Sequence, residues 1–193
     1  MRIGILLFED VEELDAVGPW EVFGMWERLW PGEIELLSLA PAPGPVRAAK
    51  GLTFHADHGL ADAGRLDVLL HPGGQGTRPL VTDEQHLEWV RDQRAQVPLM
   101  TSVCTGALVY AAAGLLKNRP ATTHWGAIDR LGELDPTIEI RKDARFVDDG
   151  DMVTSAGVSA GIDMALHLVA RLSTTERARE IRRFMQYDPE PPV

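Results

Sequence analysis

The chain opens on an unbroken apolar run. Arg2 to Phe8, RIGILLF, carries one charge at its start and branched side chains after it. So short and so apolar a run predicts a strand buried on both faces of a parallel sheet. Acidic EDVEELDAVGP follows, and Pro19 is expected in the first turn of a helix, where its missing N–H costs little. Trp20, Phe23, Met25, Trp26 and Leu29 then give apolar positions at roughly helical spacing, up to Gly32. EIELLSLA (33–40) predicts the next strand. PAPGP begins a turn region, and VRAAKGLTFHADHGL predicts a β-hairpin off the main sheet. RLDVLLHPGG (65–74) returns to a buried strand and ends in Gly-Gly.

Residues 83–96 predict a helix with Asp83 near its cap. VPLMTSV is a strand, and TGALVYAAAGLL a helix weakened at Gly114. RPATTH is a short strand, WGAIDRLGEL a helix. TIEIRKDARFVDDGDMVTSAG holds two or three strands, with an Asp149–Gly150 turn between the last two. Ser159 is expected to cap the apolar helix AGIDMALHLVARL, and Thr174 or Thr175 to cap TERAREIRRFMQY. The tail DPEPPV cannot continue that helix. Strands alternating with helices imply an α/β fold, with a mostly parallel sheet and helices on both faces. No repeat or long linker divides the 193 residues, so a single domain spanning 1–193 is expected.

Composition narrows the picture. Hydrophobic residues make up 45%, enough for a real core, and the net charge of −10 argues against nucleic-acid or anionic-membrane partners. No apolar window reaches the roughly 18 residues of a membrane span. MRIGILLFED is too short for a secretory signal and lacks a small-residue cleavage site. One cysteine allows no internal disulfide, which excludes a disulfide scaffold and makes a cytoplasmic location the expectation.

That cysteine, Cys104, stands where a strand should stop and a helix begin, at the carboxyl end of the sheet where ligands bind in such folds. Ser102 and Gly106 lie two residues either side of it, the small-residue spacing of a nucleophile elbow. A helix N-terminus favours thiolate. Free cysteine is equally often a buried, inert hydrophobe, and local sequence leaves both readings open. Gly73 and Gly74 would let backbone N–H groups approach a ligand, as an oxyanion hole requires, or form an ordinary turn. Asp15 reads first as a helix cap and second as a carboxyl group pointing into a site. Glu9, Asp10, Glu12 and Glu13 are expected in solvent. His55 and His58 point to opposite faces of a strand, which makes a metal site there improbable. His86 and His167 read as helix-surface or packing residues, and His71 as a candidate pocket residue. His124, at a strand end, is a candidate base or neutral hydrogen-bond partner for Cys104.

Taken together, GILLFEDVEELDAVGPWEVF, DVLLHPGGQGT, TSVCTGALVYAAAGLLKNRPATTHW and VTSAGVSAGIDMALHLVARL resemble the DJ-1/PfpI superfamily over essentially the whole chain. Within it, LD..GP, TSVCTG, ATTHW and the tail YDPEPP look most like the isocyanide hydratase branch. The resemblance implies a flavodoxin-like three-layer sandwich with a nucleophile elbow, usually a homodimer. It implies Cys104 as nucleophile, Asp15 as the acidic residue beside it, and Gly73, Gly74 and Thr105 as positions whose N–H groups face the site. Protease-like members carry His where this chain has Thr105. The human DJ-1 type carries Glu where this chain has Asp15.

The implied activity is hydration of an isocyanide to an N-substituted formamide, a hydro-lyase reaction on a small-molecule substrate through a cysteine thioimidate. Asp15 would manage protons. N–H groups at Gly74 and Thr105 would hold negative charge, and Gly157 and Val158 would line an apolar substrate site. No metal or organic cofactor is needed. Rival readings are a cysteine redox or stress sensor, a glyoxalase- or amidase-type enzyme, and a ligand-binding regulator module. The same motifs occur in regulators with a helix-turn-helix domain after the α/β domain. This chain ends at Val193 without one, so direct DNA binding is not expected.

Overall fold

A computed structural model describes residues 1–189. The central sheet has seven strands in the order β10-β11-β7-β6-β1-β2-β5. These are β1 (Arg2–Leu6), β2 (Glu35–Ala40), β5 (His58–Gly59), β6 (Val68–His71), β7 (Leu99–Val103), β10 (Phe146–Asp148) and β11 (Met152–Ser155). Only the β10–β11 pairing is antiparallel, and Asp149–Gly150 turns between those strands with Gly150 at φ +80°. The mostly parallel α/β sheet expected from the pattern, and the flavodoxin-like sandwich implied by the resemblance, are the fold.

Strand alternation decides which helices cover which face. Ile3, Ile5, Val68, Leu70, Leu99, Val103 and Val153 face one layer: α1 (Glu13–Leu29), α6 (Ala160–Leu172) and α7 (Thr175–Phe184). Leu6, Leu39, Leu69, Met100 and Met152 face the other: α3 (Glu84–Gln96), α4 (Gly106–Ala112) and α5 (Ile128–Leu134). Asp83 caps α3 by accepting from Gln85 N and His86 N, and Thr174 caps α7 by accepting from Arg177 N. Ser159 holds the N-cap position of α6 but makes no side-chain cap bond.

Several boundaries differ from the sequence pattern. The first helix begins at Glu13, so Pro19 lies inside it rather than in its first turn. The hairpin is β3 (Gly44–Arg47) with β4 (Thr53–Ala56), and His58–Gly59 leaves it to pair with β2 in the main sheet. A short helix, α2 (Thr77–Leu80), follows the Gly-Gly loop unannounced. RPATTH contributes only β8 (Pro120–Ala121), paired with β9 (Glu139–Ile140) outside the main sheet. WGAIDRLGEL splits into a 3-10 turn (Trp125–Ala127) and α5. Residues 190–193, most of the Pro-rich tail and of YDPEPP, lie outside the described residues. Among the described residues no helix is long and apolar enough to cross a membrane.

The largest side chain buried between α1 and its sheet face is Trp26, 2% exposed, whose Nε1 donates to Glu33 Oε2 at 3.0 Å. Trp26→Ala empties that volume and removes the bond to Glu33, so it should cost about 3–5 kcal/mol of stability. A urea titration reads this as a lower midpoint at unchanged slope.

Candidate active site

β7 ends at Val103 and α4 begins at Gly106, so the chain turns through Cys104 and Thr105. Cys104 sits at φ +56°, a left-handed conformation that costs an L residue about 1–2 kcal/mol. Three hydrogen bonds hold it there. Its N–H donates to Ser155 O at 3.1 Å and Ala156 O at 3.2 Å, and Thr123 Oγ1 donates to its carbonyl at 2.7 Å. A Cβ on residue 106 would stand 2.2 Å from His71 O, which is why glycine follows. Ser102, the small residue on the other side, is buried and its Oγ has no partner. The chain therefore makes a tight strand-to-helix turn at Cys104, with small residues at 102 and 106.

Asp15 lies in the first turn of α1 and is fully buried. It is not the helix cap that local sequence favours; Glu12 holds that position. Its Oδ2 accepts Gly73 N–H at 2.9 Å and its buried Oδ1 has no hydrogen-bond partner, and the carboxyl group lies beside the Cys104 thiol. Burial pushes its pKa up to about 7, against the pull of the Gly73 N–H. Glu12 adds to the rise, while Cys104 and Lys50 oppose it.

Cys104 is 6% exposed. Burial and then the Asp15 charge push its pKa up to about 12, although N–H groups of Thr105 and Val158 at the sulfur pull the other way. The expectation that a helix N-terminus makes this cysteine a thiolate is therefore reversed in the resting protein. Desolvation and one like charge outweigh a seven-residue helix and two amides. Sulfur and carboxyl lie close enough that the charge on each shifts the other, so the two titrate as a coupled pair.

The backbone donors are distributed differently from the sequence expectation. Gly73 N–H goes to Asp15, and Gly74 N–H goes to Thr105 Oγ1 at 2.9 Å, so neither points free into the site. The amides that reach sulfur belong to Thr105 and Val158. Val158 is β-branched and sits at φ +51°, a genuine strain that turns its N–H toward the thiol. Gly74 is at φ +124°, with Glu12 N only 2.3 Å from where a Cβ would be, so the loop closes on α1 only with glycine there.

His124 touches the loop rather than the sulfur. Its ring lies where a Cβ on Gly157 would fall, 2.2 Å from Cδ2, and its Nδ1 accepts Gly126 N–H at 3.1 Å. That bond puts the ring's own proton on Nε2, a neutral donor. Among the described residues no hydrogen bond joins it to Cys104. His71 is packed into the interior. It is wholly buried, donates Nδ1–H to Pro72 O at 2.8 Å, and meets His86 Nε2 at 3.0 Å. Burial, then His86, push its pKa down to about 3.

Glu13 is buried rather than solvated. Its Oε1 accepts Lys50 N–H at 2.6 Å, and Lys50 Nζ also pairs with Glu12. Ala49 N donates to Val11 O at 2.9 Å. The hairpin turn thus straps the start of α1, which carries Asp15. No local motif announces this role, because Lys50 is 37 residues from Glu13 in sequence. A mostly apolar cavity of about 280 Å³ begins at the residue after Asp15, lined by Ile5, Leu7, Ala16, Val17, Trp20 and Phe54 with Ser38, His55 and Asp57 also on its wall.

A mostly parallel sheet covered on both faces, with a cysteine on the strand-to-helix turn at its carboxyl end and a buried carboxyl group beside the sulfur, defines a class of α/β proteins. The chain belongs to the DJ-1/PfpI family, whose model matches residues 1–171. It is 39% identical over 192 residues to the isonitrile hydratase of Pseudomonas putida, covering all of this chain and 81% of that protein. It is 33% identical over 138 residues to the HTH-type transcriptional regulator CdhR of Pseudomonas aeruginosa, covering 72% of this chain but only 40% of the regulator. The crystal structure of a ThiJ/PfpI family protein from Pseudomonas syringae superposes with a TM-score of 0.90 at 34% identity. That match covers all of this chain and 77% of the other.

Proposed function

We propose that the chain hydrates isocyanides to N-substituted formamides, with Cys104 as nucleophile and Asp15 as proton carrier. The observation that carries this reading is the buried Cys104–Asp15 pair, one sulfur beside one carboxyl group that keeps one oxygen unpartnered. An isocyanide carbon accepts a nucleophile and a proton together. Asp15 takes the thiol proton as sulfur attacks and returns it to that carbon, giving the thioimidate R–N=CH–S. Water then adds to the same carbon, with Asp15 relaying one of its protons to nitrogen. The tetrahedral adduct collapses to R–NH–CHO and expels sulfur, which recovers its proton. Atoms balance as isocyanide plus water to formamide. Thr105 and Val158 N–H groups stabilise negative charge on sulfur as it leaves. Thr105 serves as a site residue through that amide, and Gly157 and Val158 line the substrate side.

The likeness to an isonitrile hydratase over the full chain supports the reaction class. On the same reading the single-domain chain works as a cytoplasmic homodimer on a small molecule, without metal or organic cofactor. A sensor needs an accessible, low-pKa thiol, and one pushed up to about 12 suits that role poorly. The test is incubation with cyclohexyl isocyanide and detection of N-cyclohexylformamide by mass spectrometry. Multiple-turnover formamide is expected. Absence of formamide together with lactate formation from methylglyoxal would transfer the site to glyoxalase chemistry.

A further inference from the structure

The Gly73–Gly74 loop is joined to the nucleophile turn by two buried hydroxyl groups, and the reaction above uses neither. Thr77, the first residue of α2, is fully buried. Its Oγ1 stands 2.8 Å from Gly74 O and 3.0 Å from Thr105 Oγ1. Thr105 Oγ1 accepts Gly74 N–H at 2.9 Å and lies 3.2 Å from Gly74 O. Each hydroxyl has one hydrogen, and residue 74 offers one donor and one acceptor. Gly74 N–H and the Thr77 hydroxyl both donating to Thr105 Oγ1, with the Thr105 hydroxyl donating to Gly74 O, satisfies all four groups. Arg78 Nη1 adds a further donor to Gly74 O at 3.0 Å. The amide one residue upstream, Gly73 N–H, is the one on Asp15 Oδ2, and Gly73 O is tied to Glu12 N at 2.9 Å.

We propose that Thr77 is a positioning residue of the Cys104–Asp15 site, whose hydroxyl, through Thr105, fixes the Gly74 backbone so that Gly73 N–H stays on Asp15. This rests on the reading of Cys104 and Asp15 as the reacting pair. A valine fills the same volume without the hydroxyl, so size alone does not account for the residue. Gly73 N–H is the main interaction drawing the Asp15 proton away against burial. The other groups facing Asp15 are Glu12, which holds the proton on, and Cys104 and Lys50, which draw it off. Freeing the amide leaves Asp15 protonated to higher pH.

The test compares Thr77→Val and Thr77→Ser with wild type and Asp15→Asn. Iodoacetamide reports on Cys104 alone, because the chain has one cysteine. The alkylation rate is followed from about pH 5 to 10, beside kcat and KM for cyclohexyl isocyanide. In Thr77→Val the acid limb of the kcat profile, followed over the same pH range, should move up by roughly half a pH unit or more, because Asp15 takes the thiol proton only when ionised, while alkylation below neutral pH should quicken as the like charge beside the sulfur is lost. Its kcat should fall about tenfold at little-changed KM. Thr77→Ser should restore both. A Thr77→Val profile that overlays wild type, with or without a lower melting temperature, makes the residue merely structural and overturns the proposal. If Asp15→Asn also overlays wild type, the pair itself is misassigned and the role of Thr77 falls with it.

Discussion

Cys104→Ala should bring formamide formation down to the uncatalysed rate, a loss of roughly 10⁴-fold or more, as expected when the nucleophile of a covalent mechanism is removed. The argument is chemical before it is geometric. Without sulfur no thioimidate forms, and Asp15 is left with no atom to deprotonate but water. The substitution is also structurally quiet. Alanine at φ +56° carries the same backbone strain as cysteine, and the bonds to Ser155 O, Ala156 O and from Thr123 Oγ1 all use the main chain. The variant should therefore fold and melt much like wild type, while intact-mass analysis during turnover shows no covalent adduct. Retention of most of the wild-type rate would remove Cys104 from the mechanism and leave Asp15 acting directly on water.

The sheet was legible because its strands obey one physical rule. Runs such as RIGILLF and VPLMTSV are apolar at every position, and only strands covered on both faces need that. The first helix was read six residues late for the opposite reason. Its opening turn has Glu13 and Asp15 on inward positions, where a stability pattern would place apolar side chains. Glu13 is there to hold the hairpin strap and Asp15 to meet the sulfur, so function has displaced the pattern at that end of the helix. Pro19 reinforced the error, since proline is read as a helix start and here sits between α1 and the Gly161 region of α6.

At the site, the elbow spacing singled out Cys104 as the candidate nucleophile, and the Gly-Gly pair marked the loop that lies against it. The direction of each amide was not legible. Whether Gly74 N–H points into a site or onto a threonine hydroxyl depends on α2, which four residues of TRPL do not announce. Nor did sequence carry the sign of the thiol's acidity. The helix end is a local feature, while the opposing carboxyl comes from 89 residues earlier in the chain and burial from the whole fold.

That sign makes Asp15→Asn the more discriminating substitution, because two rates for one sulfur should move in opposite directions. Asparagine keeps the shape, and its side-chain oxygen can still accept Gly73 N–H. It removes both the negative charge and the proton carrier. Loss of general acid–base transfer should slow formamide formation by about 10²–10⁴-fold. Loss of the like charge, after burial the chief cause holding the thiol up, should lower the Cys104 pKa and speed its alkylation by iodoacetamide near pH 8. Stability supplies a third readout with a definite sign. The Asp15 pKa is raised in the folded state, to about 7 from an ordinary 3.8, so wild type loses stability as pH rises through that interval while the variant does not. Asp15→Asn should therefore gain in melting temperature over wild type above pH 7 and lose that advantage below pH 4. If alkylation and turnover both fall, the carboxylate supports the thiolate instead of opposing it, and the proton sequence proposed for the hydration step runs the other way.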